Sequence, residues 1–307
     1  MNTIILSICI PTNGRIEILL NTIDSIYKEG CDNDEFEVII SDNSERADLE
    51  ELLSQKHNFP NLHYYHTNVS GFMNSINALN MGVGELLKLH NNYTVFQKGS
   101  LKKMLEIIRE HLDEKPLVFF SNNSLKLKSR VVSYSFNDFL FNLSYFSSWS
   151  TGFSIWNIDF KNHCKIDFNQ MFPHTSLLFE QIEKDSYIIY DDILFFNQSV
   201  PTKGGYNLFK VFCVDFLGML SKCTEDNKIS VITFNHIKRN MFYSFLIPWF
   251  YATKVKKNNF TYDLTRIKES IVVYYSGWHY YLMLLVCWCI LPIKNSLSKI
   301  SQLKLKD

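Results

Sequence analysis

Residues 84–101 read Gly84-Glu85-Leu86-Leu87-Lys88-Leu89-His90-Asn91-Asn92-Tyr93-Thr94-Val95-Phe96-Gln97-Lys98-Gly99-Ser100-Leu101. Leu86, Leu87 and Leu89 around Lys88 predict a short, mostly buried strand. The polar group His90-Asn91-Asn92 follows it. Lys98-Gly99-Ser100 then offers a glycine turn and a serine N-cap ahead of Leu101, Met104, Leu105 and Ile108, which recur at helical spacing. Strand, polar tip, turn and helix is the order in which an α/β sheet presents ligand-binding groups at the carboxyl ends of its strands.

Working outward, the same order repeats upstream. Ile4 to Ile10 is an apolar run stopped by Pro11-Thr12-Asn13-Gly14. Ile18, Leu19, Thr22, Ile23 and Ile26 follow at helical spacing, and Gly30 closes that helix. Phe36 to Ile40 is a second buried strand, delivering Ser41-Asp42-Asn43-Ser44 at its tip, and Leu49, Leu52 and Leu53 belong to a second helix. Leu62 to His66 is a third strand, followed by Asn68 and Gly71, and Asn74, Asn77 and Leu79 lie on a helix before the central strand. Strands alternating with helices predict a mostly parallel sheet with helices on both faces.

Downstream, Leu117 to Phe120 reads as a strand and Lys126-Leu127-Lys128-Ser129-Arg130 as a basic patch. Phe172-Pro173-His174-Thr175 starts a helix containing Leu177, Leu178 and Ile182, since proline suits a first turn. Tyr187 to Tyr190 is a strand, Asp191-Asp192 reads as a solvated turn, and Lys203 to Asn207 as a flexible loop. Aromatic helices take over from about residue 208, giving an expected division into 1–207 and 208–307. Ile271 to Ile293 carries no Lys, Arg, Asp or Glu over 23 residues. Its tyrosines and tryptophans favour a membrane interface, and Lys294, Lys299, Lys304 and Lys306 suit anionic head groups. An interfacial helix is the preferred reading, with a span or a core helix as alternatives.

The composition sets bounds. With 307 residues, 46% of them hydrophobic, the chain can bury a full core. Lys+Arg and Asp+Glu both total 31, so nothing supports a nucleic-acid partner. Seven scattered cysteines with no secretory signal read as reduced thiols of a cytoplasmic protein. No Gly-x-Gly-x-x-Gly follows the first strand, which argues against a dinucleotide-binding enzyme.

The motifs, in their order, resemble the inverting family 2 glycosyltransferases, which have the GT-A fold. The resemblance rests on Leu6 to Arg15 with its Pro11-Thr12 turn, on Ile39 to Ser44, on Asn68, Gly71 and Asn74, and on Gly84-Glu85. It covers the first 110 residues well and thins out beyond about 210; bacterial capsule and surface-polysaccharide transferases are the most similar subfamily. It implies a nucleotide-sugar donor held by Pro11, Thr12, Arg15, Asp42, Asn43, Asn68, Gly71, Asn74, His90, Asn91 and Asn92. Asp42 would accept a hydrogen bond from a base imide or a ribose hydroxyl, the alternative being an Asx turn. Trp149, Thr151 and Gly152 would lie in a loop beside the acceptor. The general base would be His174 at a helix start or Asp167, with Glu180 and Asp159 as further candidates.

The family's central strand normally ends in acids that hold Mn²⁺ or Mg²⁺. Here the tip is His90-Asn91-Asn92-Tyr93, without a carboxylate. Hard divalent ions want anionic oxygens. Either phosphate charge is met by cations such as Lys88, Lys98 or Arg15, or Mn²⁺ or Mg²⁺ is held weakly at Asn91 and Asn92, or activity is lost. The expectation is a glycosyltransferase acting on a lipid-linked oligosaccharide at the inner face of the plasma membrane, as a homodimer or beside a partner transferase. The rival is a non-catalytic subunit that scaffolds such a partner.

Overall fold

The structure, a computed structural model, describes residues 4–45, 49–56, 59–163, 165–200 and 202–292. The chain divides into two compact units, one reaching Ser199 and including Asn227–Thr233, the other formed by Val200–Asp226 and the residues from Phe234 on.

The first unit opens with β1 (Leu6–Thr12), α1 (Ile16–Tyr27), β2 (Phe36–Asp42), α2 (Leu49–Lys56), β3 (Leu62–His66), α3 (Asn74–Met81) and β4 (Leu86–Leu89). It continues through β5 (Thr94–Phe96), α4 (Ser100–Glu110), β6 (Leu117–Phe120), β7 (Val131–Ser133), α5 (Phe136–Leu143), β8 (Ser154–Trp156), α6 (Asn157–His163), α7 (Pro173–Phe179), β9 (Tyr187–Tyr190) and β10 (Phe195–Asn197). The main sheet has the order β3-β2-β1-β4-β8, parallel except for β8. Strands covered on both faces read as near-continuous apolar runs, which is why β1, β2 and β4 are legible in the sequence. Their register sets Thr12 beside Asp42 and Cys9 beside Leu89, so the polar tips of β1, β2 and β4 emerge together.

Two devices hold these strands in register. Glu37 lies inside the molecule, accepting from the Ser7 hydroxyl at 2.5 Å and the Val83 amide at 2.6 Å. A side chain at Gly84 would sit 2.7 Å from the Ser7 nitrogen, so only glycine lets the chain enter β4 against β1. A second sheet, β6-β9-β7, carries the downstream half. Phe119 bridges Phe153 in antiparallel fashion, which runs β6 parallel to β4 and brings its carboxyl end to the same edge.

The second unit contains β11 (Gly204–Asn207), α8 (Leu217–Glu225), α9 (Val231–Met241) from Phe234 on, α10 (Ile247–Phe250), β12 (Thr261–Asp263), α11 (Ile267–Val272) and α12 (Trp278–Leu285). Two expectations change here. Lys203 to Asn207 is not a free loop, because β11 pairs in parallel with β12 and the Asn207 amide donates to Asp263 and Thr265. The uncharged stretch is not one helix either. It breaks at residues 273–277, ahead of α12, which runs on as a wider π-helical turn over Val286–Ile290. Among the described residues no helix is long and apolar enough to cross a membrane. Trp278, Tyr281, Leu285 and Trp288 are all more than half exposed, while Met283 and Cys287 are buried, so one face of this helix presents large, mainly apolar side chains, with Lys268 donating to the Tyr281 hydroxyl. Ile293, Lys294, Lys299, Lys304 and Lys306 lie outside the described residues.

Candidate functional site

The polar tips meet in one hydrogen-bonded floor. The Asn92 amide donates to the Thr12 hydroxyl at 2.9 Å, and the Thr22 hydroxyl donates to the Asn92 carbonyl at 2.9 Å. The Thr12 carbonyl accepts from the Asn43 amide at 3.1 Å and from the Asn74 side chain at 3.3 Å. Asn74 is buried at the start of α3, where it also donates to the Ser41 carbonyl and accepts from the Ser41 hydroxyl at 2.6 Å. Asn43 donates to the carbonyls of Val69 and Gly71. Such a network fixes side chains that short loops alone leave free. Thr22 joins this network through Asn92, and Tyr64 through Asp42, although nothing in their local pattern singles them out.

Asp42 is fully buried and already engaged. One oxygen accepts from the Ser44 amide, the other from the Ser44 hydroxyl at 2.9 Å and from the Tyr64 hydroxyl at 3.0 Å. The Asx turn is thus what the structure shows. Each oxygen retains acceptor capacity.

The tip of β4 departs further from expectation. His90 is buried beneath the tip, between the rings of Phe96 and Phe195, and its Nε2 donates to the Thr94 carbonyl at 2.6 Å. Burial, helped by the nearby Lys88, pulls its pKa down to about 3. Lys88 is equally buried, its ammonium directed to the carbonyls of Leu89 and Thr151 and not to the surface. Both residues are therefore removed from the set that could touch a phosphate. Arg15, half-buried before α1, and the exposed Lys98 remain.

Asn91 and Asn92 do face the tip, with the Asn91 amide donating to the Tyr93 hydroxyl at 2.9 Å. Neutral amide and phenol oxygens do not match a hard divalent ion. Among the described residues no three His, Cys, Asp or Glu side chains cluster in a way that would hold one.

The acceptor-side residues come to the same place. Ser150 starts a tight turn, Ser150–Gly152, ahead of β8, and its hydroxyl donates to Asn91 at 3.1 Å. A side chain at Gly152 would strike the Phe119 ring and the Phe120 carbonyl, so this glycine lets the turn lie on β6. His174 stands at the start of α7, its Nε2 donating to the Ser148 carbonyl at 3.0 Å. Burial lowers its pKa to about 4, leaving a neutral ring whose Nδ1 carries the lone pair. Trp149 is half-buried in this loop. Asp167 and Asn68 are exposed. Asp159 pairs with Lys184 at 2.5 Å and Glu180 with Lys228 at 3.1 Å, so both are engaged elsewhere.

Asp191 is a correction. It is buried, not solvated, and accepts from the Ser121 hydroxyl at 2.5 Å and from the Leu125 and Leu127 amides. It shapes the loop that carries the basic patch. A cleft of about 560 Å³ lined by Asn21, Asp24, Lys28 and Lys98 runs along α1 and β5, and none of Pro11, Thr12, Asp42 or Asn91 lines it.

The Glycosyl transferase family 2 model matches residues 7–153, which span this floor. No curated protein matches the chain by sequence. Among solved structures, S. aureus TarS 1–349 in complex with UDP-GlcNAc superposes with a TM-score of 0.62 at 14% identity, over 82% of this chain and 76% of that one. Mannosyltransferase PcManGT from Pyrobaculum calidifontis, in complex with GDP-Man and Mn²⁺, gives 0.55 at 13% identity over 98% and 80%. Against a longer TarS chain, with a TM-score of 0.58 at 14% identity, the match covers 81% of this chain but only 46% of that one. The motif order, the strand order and the family match agree: residues 7–153 match glycosyl transferase family 2, and the fold is GT-A.

Proposed function

We propose that this protein transfers one sugar from a nucleoside-diphosphate donor to a lipid-linked glycan, with inversion, in the assembly of a capsule or surface polysaccharide. The observation that carries the reading is the joined floor of Thr12, Ser41, Asn43, Asn74 and Asn92 at the carboxyl ends of β1, β2 and β4. Solved neighbours on this fold hold UDP-GlcNAc and GDP-Man, which supports a nucleotide-sugar donor. The apolar helix face of Trp278, Tyr281, Leu285 and Trp288 supports work at the inner face of the plasma membrane on a lipid-borne acceptor.

In this reading the floor binds the nucleotide and the Ser150–Gly152 turn borders the acceptor. A neutral His174 suits a general base, since a free ring nitrogen can take the acceptor proton. The ring is buried with its Nε2 held on the Ser148 carbonyl, so the acceptor hydroxyl would approach Nδ1. Arg15 and the amide dipoles of the floor offset the charge developing on the leaving diphosphate. The neighbour solved with Mn²⁺ shows that the fold accommodates a metal. The neutral tip here does not fit tight metal binding, and a weakly held ion would rely on the donor's own phosphates. The same neutral tip is what favours the second reading, a non-catalytic partner of an active transferase.

The test is incubation of the protein with UDP-, dTDP- and GDP-sugars and a bacterial lipid extract, with NMR of the product anomer. Transfer with inverted configuration is expected. Nucleotide binding without turnover on any donor would favour the scaffold.

A further inference from the structure

The structure assigns to Lys88 the role of a positioning residue, an internal amino group that fastens the Ser150–Gly152 turn to the tip of the central strand. It rests on the proposed sugar transfer only in that this turn borders the acceptor.

Lys88 is wholly buried in the middle of an apolar strand. Its ammonium donates to the Leu89 carbonyl at 2.9 Å and to the Thr151 carbonyl. Phe120 and Phe195 flank it, with the nitrogen 5.5 and 5.1 Å from their ring centres, and Cys9 and His90 are its titratable neighbours. Among the described residues no carboxylate pairs with it. Burying a cation without a counter-ion is costly, and a leucine or methionine would fill the same space without that cost. Burial lowers its pKa to about 7, which expresses the same penalty.

What the lysine gains is the turn. Thr151 is buried, yet its hydroxyl finds no partner among the described residues, so its carbonyl is its point of attachment. Among the described residues, the one other side-chain link from this turn to the tip of β4 is the Ser150 hydroxyl on Asn91. The other bonds of the turn itself are local, Gly152 to Trp149 and Phe153 to Ser150, and the pairing of β8 with β4 begins only after it, where the Leu89 amide donates to the Phe153 carbonyl at 3.2 Å. A fold that needed only a filled core would not place an ammonium here. One that needs the turn held 63 residues away in sequence has a reason to do so.

The experiment is Lys88→Met, read by thermal unfolding, by UDP, dTDP and GDP calorimetry, by amide hydrogen exchange over residues 150–153, and by steady-state kinetics. The variant is expected to melt at the same or a higher temperature and to bind nucleotide within about twofold of the unmodified protein. Exchange at residues 150–153 should quicken at least tenfold. The acceptor KM should rise at least fivefold while kcat stays within about twofold. Slow exchange retained in a folded variant would overturn the assignment, and that arm needs no turnover. Absence of turnover in the unmodified protein would instead count against sugar transfer itself. Lys88→Gln, neutral and shorter, serves should the methionine variant not fold, and the same quickening is expected. Failure of both to fold would make Lys88 a plain core requirement and overturn its positioning role.

Discussion

The side-chain amide of Asn92 donates to the hydroxyl of Thr12 at 2.9 Å, joining the tips of two neighbouring parallel strands across 80 residues of chain. Both groups are neutral, at a place where the resembled family has acids. The double substitution Asn91→Asp, Asn92→Asp should therefore tighten Mn²⁺ binding at least tenfold, about 1.4 kcal/mol. Calorimetry with Mn²⁺ alone and with Mn²⁺ plus nucleotide checks this. Unchanged Mn²⁺ affinity would show that the tip is not where a metal would sit.

Asp42 supports its strand tip before it can serve a ligand. Asp42→Ala strips acceptors from the Ser44 amide and the Tyr64 hydroxyl. A cost of about 1–3 kcal/mol in unfolding free energy is expected, together with weaker nucleotide binding. Tyr64→Phe removes one bond and should cost about 1 kcal/mol while leaving the Ser44 turn intact. A stable Asp42→Ala protein with unaltered nucleotide affinity would take Asp42 out of the site.

Burial depresses the pKa of His174 to about 4 and of His90 to about 3, below the ordinary 6.5. In that window the unfolded chain binds more protons than the folded one. The stability they contribute is full above pH 6.5 and is lost as pH falls through about 4 and then 3. Each group should approach a slope of about 1.4 kcal/mol per pH unit. Denaturant unfolding between pH 7 and 4 measures this, and His174→Gln should flatten the fall. An unchanged slope in that variant would contradict a buried neutral ring.

The strands and their tips were legible because parallel strands covered on both faces must be apolar and must end where polar turns begin. Leu6 to Thr12, Phe36 to Asp42 and Leu86 to Leu89 all follow that rule. Other features depend on partners distant in sequence. Lys88 interrupts an apolar run, and only Thr151, Phe120 and Phe195 explain it. Asp191 resembles a surface turn until Ser121 and Leu127 close over it. His90 follows a strand as a ligand-binding residue would, yet its ring turns back toward Phe96.

The apolar face of the last described helix should bind anionic lipid. Replacing Trp278 and Trp288 with Ser should abolish flotation with phosphatidylglycerol vesicles, with nucleotide affinity kept. An unmodified protein that ignores such vesicles would contradict membrane association. Flotation equal in both proteins would move it to another surface.

The most direct measurement is calorimetric titration of UDP, dTDP and GDP into the unmodified protein, once in EDTA and once in Mn²⁺. One nucleotide should bind in EDTA with a Kd within about tenfold of its value in Mn²⁺, a difference of roughly 1.4 kcal/mol. Binding that vanishes in EDTA and returns only with Mn²⁺, or no binding of any nucleotide in either condition, would contradict a nucleotide site built from the neutral floor of Thr12, Asn74 and Asn92.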